Sequence, residues 1–97
     1  LGDEYGQKIY EAGEVEVLIQ VEEDDEVPNR QALLGLVMGI EPEGLVAHLW
    51  QANPPGEVAV VEVDEFGNFI MPSLKPATYE LILSNGETEI HIPGIQV

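Results

Sequence analysis

The residues with the means to do chemistry in this 97-residue chain stand in a few separate groups. Glu22, Glu23, Asp24, Asp25 and Glu26 are consecutive, and such a density of oxygen donors is what calcium takes. The run lacks the spaced Asp-x-Asp-x-Asp-Gly register, so it reads first as a solvated acidic loop. His48 and His91 are the only histidines. A zinc site would need both, plus carboxylates brought close by folding. Strand alternation places both outward, beside Trp50 and Glu89, as surface histidines. Ser73 and Ser84 lack a recognisable elbow, and a nucleophilic serine needs a base and an oxyanion hole. Trp50, Gln51 and Asn53 put an aromatic ring beside amide groups, the pattern a carbohydrate-binding surface uses. No catalytic grouping emerges. The expectation is a protein with no enzymatic activity and no cofactor.

These residues must be positioned by strands. Glu14 to Glu22 alternates, with Val15, Val17, Ile19 and Val21 on one face and mostly acids and Gln20 on the other. Gln31 to Ile40 is apolar nearly throughout and reads as a central strand, with Gly35 and Gly39 marking bulges or close backbone approach. Leu45 to Gln51 follows the Glu41-Pro-Glu-Gly44 turn, and Glu57 to Val63 follows Asn53-Pro-Pro-Gly56. Asp64 to Gly67 is a tight turn. Asp64 accepts backbone N–H bonds there, and Gly67 tolerates a positive φ angle. Asn68 to Met71 is a short strand. Pro72 and Pro76 bar the next segment from a central strand. Thr78 to Ser84 and Glu87 to Ile92 flank Asn85-Gly86, the strongest hairpin signal present. Residues 1–13 read as a flexible lead-in or an edge extension, and 14–97 as a single domain. About seven short strands with regular turns predict an all-β fold, a small antiparallel Greek-key β-sandwich.

Composition bounds the partners. Nineteen acidic and three basic residues give a formal net charge of −16. Nucleic acid binding needs Lys and Arg and is excluded, as is direct binding of this segment to an anionic membrane. Crowding of like charges is expected to raise carboxyl pKa values, so that stability falls as pH rises. No cysteine is present, so there is no disulfide framework and no thiolate metal site. No apolar run reaches the roughly 18 residues that span a bilayer. The chain begins with Leu1 rather than Met, so the expectation is an excised domain or a processed fragment.

The motif order resembles the carboxypeptidase regulatory-like and transthyretin-like family of small β-sandwiches. Gly35 and Val37 match its early Gly-x-Val strand. Asp64, Gly67 and Phe69 match its Asp-x-x-Gly-x-Phe turn. Leu74, Pro76, Tyr79 and Leu81 match its Leu-x-Pro-Gly-x-Tyr-x-Leu segment, with Ala77 where the family has Gly. A positive φ at Ala77 would be strained. The resemblance spans residues 31 to 92 and implies a transthyretin-like sandwich acting as an accessory module. More faintly, Leu33-Leu34-Gly35-Leu36-Val37 with Val63 to Phe69 is similar to the C-terminal domain of bacterial anti-sigma-type regulators, which implies the bacterial cytoplasm.

Outward positions carry the remaining signal. With Leu45, Ala47 and Leu49 facing the core, Val46, His48 and Trp50 face out. Leu18 and Ile82 are further apolar residues at outward positions. Together Leu18, Val46, His48, Trp50 and Ile82 form a candidate interface, unless the N-terminal strand or further chain covers them. The expected function is a non-catalytic protein-interaction or structural module, engaging a protein partner or a second copy. A carbohydrate- or calcium-dependent binding module of the cell envelope is the alternative.

Overall fold

Every stretch that alternates forms a strand in the computed structural model, which describes residues 7–97. The strands are β1 (Gln7–Ala12), β2 (Val15–Glu23), β3 (Gln31–Met38), β4 (Val46–Ala52), β5 (Pro55–Glu62), β6 (Asn68–Leu74), β7 (Thr78–Ser84) and β8 (Glu89–Gln96). They build two four-stranded antiparallel sheets, β1-β2-β3-β6 and β5-β4-β7-β8. The chain crosses between sheets after β3, after β5 and after β6. These crossings set β3 beside β6 and β4 beside β7, the non-sequential pairings of a Greek-key sandwich.

Eight strands replace the expected seven or so. The added one is β1, which pairs with β2 from Gln7↔Gln20 to Ala12↔Val15. β2, which lies outside the family motif and would be an edge strand without β1, is therefore internal. The first six residues of the lead-in lie outside the described residues. β6 is also longer than expected and runs through Pro72 to Leu74. It can do so because it is an edge strand, where a missing N–H faces outward. Its register slips by one residue at Pro72–Ser73, between the pairs Leu33↔Met71 and Gln31↔Leu74.

The core lies between the sheets. Val17, Ile19, Leu33, Val37, Phe69 and Met71 face it from the first sheet, and Ala47, Leu49, Leu81, Leu83, Ile90 and Ile92 from the second. Gly35 sits opposite Phe69, and a β-carbon on it would stand 2.1 Å from the ring. The glycine thus makes room for the buried Phe69 ring, and close approach is the reason it is there. Gly67 is constrained twice. Its φ is 89°, and a β-carbon would lie 2.4 Å from the Val37 carbonyl oxygen. The Asp64 to Gly67 arch closes one side of the sandwich. Asp64 Oδ1 accepts from the N–H groups of Phe66 and Asn68, both at 2.9 Å, and the Gly67 N–H donates to the Asp64 carbonyl. Ala77 has no positive φ. It exchanges two backbone hydrogen bonds with Val97, so the strain a family glycine would relieve does not arise.

Candidate functional site

The second sheet's outer face gathers the chemistry-bearing side chains. Registry lays them out in rows across the strands. Val60, His48, Ile82 and His91 form one row, Glu57, Trp50 and Glu80 the next, and Glu62, Val46, Ser84 and Glu89 a third. Trp50 is 40% exposed. Its lateral neighbours are both acidic, whereas alternation along β4 suggests only His48 as a polar neighbour.

Each edge strand of this sheet carries a bulge at the Trp50 row. On β5, Val58 is the extra residue between the pairs Leu49↔Ala59 and Trp50↔Glu57. On β8, Pro93 and Gly94 together oppose Glu80, between Tyr79↔Ile95 and Leu81↔Ile92. Gly94 has φ 73°, which suits a bulge. The bulges bend both edges beside the central Trp50–Glu80 pair. On the β8 side of that pair a depression of ≈ 470 Å³ opens, lined by Trp50, Gln51, Thr78, Glu80, Ile82 and, from the β8 bulge, Gly94.

Both histidines bond carboxylates on this face. His48 Nδ1 lies 2.6 Å from Glu57 Oε1. His91 Nδ1 lies 3.1 Å from Glu80 Oε2, and its Nε2 lies 2.7 Å from Glu89 Oε1. A neutral imidazole has one donor and one acceptor, and a carboxylate only accepts, so both His91 contacts are made well only by the protonated ring. The hydrogen bond to Glu89, then the one to Glu80, raises the His91 pKa above its ordinary value. The two histidines are therefore each held by their own acids and do not converge on a shared site. Among the described residues, no group of three or more His, Asp or Glu is arranged to hold a metal ion.

Leu18 belongs elsewhere. It lies on the outer face of the first sheet, between Ile9 and Leu36. The candidate interface therefore divides, with Val46, His48, Trp50 and Ile82 together and Leu18 on the opposite side of the sandwich.

The acidic loop has a different role from the one its composition suggests. Asp24 Oδ1 accepts from the N–H groups of Glu26 at 2.8 Å and Val27 at 3.3 Å. Its Oδ2 accepts from the Ser73 N–H at 2.7 Å, in the bulge of β6. Ser73 has φ 61°, a conformation this bond helps to hold. The bond to Glu26, then that to Ser73, holds the Asp24 carboxyl below its ordinary value, the reverse of what charge crowding predicts. Asp24 is thus a latch between the β2–β3 loop and β6. No local signal marks it among five neighbouring acids, because the group it holds is 49 residues away. Ser84 Oγ accepts from the Gly86 N–H in the hairpin turn, so it acts as a turn residue. Tyr79 is buried and its hydroxyl donates to the Lys75 carbonyl at 2.7 Å. This pins the crossing after β6, and burial raises the phenol pKa.

Comparison with family models, curated proteins and solved structures finds no match to this chain.

Proposed function

We propose that this domain is a non-catalytic interaction module that docks a protein segment on the outer face of its second sheet, around Trp50. The observation that carries the reading is the Trp50 depression, an exposed indole set between two edge bulges. Bulges re-aim side chains beside binding sites, and indoles anchor interfaces because they combine apolar area with few rotatable bonds. Ser84 Oγ accepts from the Gly86 N–H, and both histidines are bonded to carboxylates of the same face, which is consistent with a structural use of these side chains. An accessory role of the carboxypeptidase regulatory-like kind, or in a bacterial regulatory protein, fits a module of this type.

A random peptide library panned against the chain and against its Trp50→Ala variant tests this reading. Sequences enriched on the parent and lost on the variant are expected. If the two pools are the same, the docking face is not here. A second reading is favoured by the carboxylates beside the indole: sugar rings stack on tryptophan while acids accept from their hydroxyls. An oligosaccharide array run on the same pair of proteins separates it from the first.

A further inference from the structure

Trp50 sits in the middle of an acidic row, and strand spacing fixes what surrounds it. Neighbouring strands lie about 4.8 Å apart, so Glu57 and Glu80 flank the indole at backbone positions roughly 10 Å apart. Each uses one oxygen toward a histidine, Oε1 in Glu57 and Oε2 in Glu80, and each has a second oxygen with which to accept. The face carries Glu57, Glu62, Glu80 and Glu89 against His48 and His91. Lys8 lies on β1 of the other sheet, and Arg30 and Lys75 lie in loops, where they line a separate cleft with Gln51 and Val58. Four carboxylates against two imidazoles leave the face negative even with both rings protonated.

We propose that the Trp50 depression receives a cationic side chain, an arginine or lysine of an extended partner segment, stacked on the indole beside Glu80, which lines the depression, with Glu57 next to the indole on the other flank. This rests on the docking reading above and adds the chemistry of what docks. Tryptophan is the best aromatic platform for a cation. Ile82, beside His48 on β7, offers apolar surface to the methylene stem of such a side chain. The occupant's charge follows from desolvation. An apolar side chain placed here would strip water from two carboxylates and give them nothing in return. A neutral sugar would satisfy their hydrogen bonds and leave the negative charge of the face uncompensated. A guanidinium does both, and its donors lie in the plane that stacks.

Trp50 is the only tryptophan of the chain, so its fluorescence reports occupancy of this site and no other. The probe is an end-blocked Arg-Ser-Arg-Ser-Arg peptide, titrated at fixed low salt beside its citrulline counterpart, which keeps shape and hydrogen bonds but has no charge. The expected result is a Trp50 signal with the arginine peptide and binding about 5–30-fold weaker with citrulline, the size of a cation–π contact with hydrogen-bonded charge. Glu80→Gln is expected to weaken the arginine peptide several-fold. Glu87→Gln, at the tip of the β7–β8 hairpin, should change it less than about two-fold, within ordinary surface effects. Equal binding of the two peptides, measured on the unaltered protein, would overturn the proposal. Equal losses from Glu80→Gln and Glu87→Gln would overturn it too, because they would show attraction to overall charge only. If library sequences require Trp50 but contain no Arg or Lys, the cationic occupant fails while docking stands. If no sequence requires Trp50, both fail.

Discussion

The two outer faces of the sandwich alternate equally well in sequence and differ in what their strands bring side by side. On the first sheet, Ile9, Leu18 and Leu36 meet across β1, β2 and β3, and Leu34 meets Ile70 across β3 and β6. Its acids stand toward the ends, with Glu11 and Glu16 paired at one and Glu22 at the other, and the polar groups between are the neutral Gln7, Gln20 and Asn68. On the second sheet the acids stand in the middle, beside the indole and the imidazoles. Leu18 and Ile82 show what this teaches. Both are apolar residues at outward positions, yet one has Ile9 and Leu36 for neighbours and the other His48 and His91. Neighbours across strands, not along them, decide what a β-face can bind.

Beneath both faces lies one core, and the largest effect is expected there. Phe69→Ala should cost about 3–5 kcal/mol in chemical denaturation, the usual range for deleting a buried aromatic. Gly35→Ala should cost about 1–3 kcal/mol, because the new methyl enters the space of the Phe69 ring. In the Phe69→Ala background the Gly35→Ala cost should largely vanish, since the ring it meets is gone. An unchanged midpoint for Phe69→Ala would break the assignment of inner and outer faces from which the comparison starts.

How much of this was legible depends on the distance over which each signal acts. Alternation along β2, β4 and β7 gave the inward residues, because a strand's period is a local property. The arch at Asp64–Gly67 was legible for the same reason: its donors lie within four residues of Asp64. The division of Leu18 from Trp50 was not, because alternation says in or out without saying of which sheet. The Glu57–Trp50–Glu80 row was not legible either, because Glu57 reaches it through a bulge that shifts the β4–β5 register by one residue, and Glu80 reaches it through the long-range β4–β7 pairing. Asp24 was hidden by its own surroundings, as one acid in a run of acids. The edge position of β1 was open in the sequence, since Gln7 to Ala12 alternates poorly and gains its structure from pairing with β2.

The two aspartate turns sharpen the comparison at the next level of energy. Asp64→Ala should cost about 1 kcal/mol through lost turn hydrogen bonds, read as a shift in denaturation midpoint at constant slope. Asp24 and His91 should appear instead in the pH dependence of melting. The folded pKa of Asp24 lies below the unfolded value, so its contribution is present above about pH 4 and is lost as pH falls through the folded pKa. The folded pKa of His91 lies above the unfolded value, so its contribution is complete below about pH 6.5 and is lost as pH rises through the folded pKa. Both are in place together between about pH 4 and 6.5, where the melting temperature should peak. Asp24→Asn should flatten the acid side of that profile and His91→Gln the neutral side. If His91→Gln leaves the fall above about pH 6.5 unchanged, the clamp between Glu80 and Glu89 is not what titrates there.

The smallest expected effect tests whether the first sheet's outer face is open at all. Ile70 is 57% exposed on the edge strand β6, opposite Leu34. Threonine keeps the branched β-carbon a strand favours and removes apolar area that already faces water. Ile70→Thr should therefore change stability by no more than about 0.5 kcal/mol, the range of ordinary surface substitutions. The measurement is urea denaturation repeated over a wide range of protein concentration. A flat midpoint with a small difference from the parent leaves the apolar stripe of the first sheet in water, and binding chemistry concentrated on the second. A parent midpoint that climbs with concentration, and an Ile70→Thr cost that climbs with it, would mean that copies of the chain cover this stripe in solution. The two faces would then differ in partner, one closed by self-association through apolar contact and the other left to its charged row, and Leu18 would regain a place in an interface separate from that of Trp50.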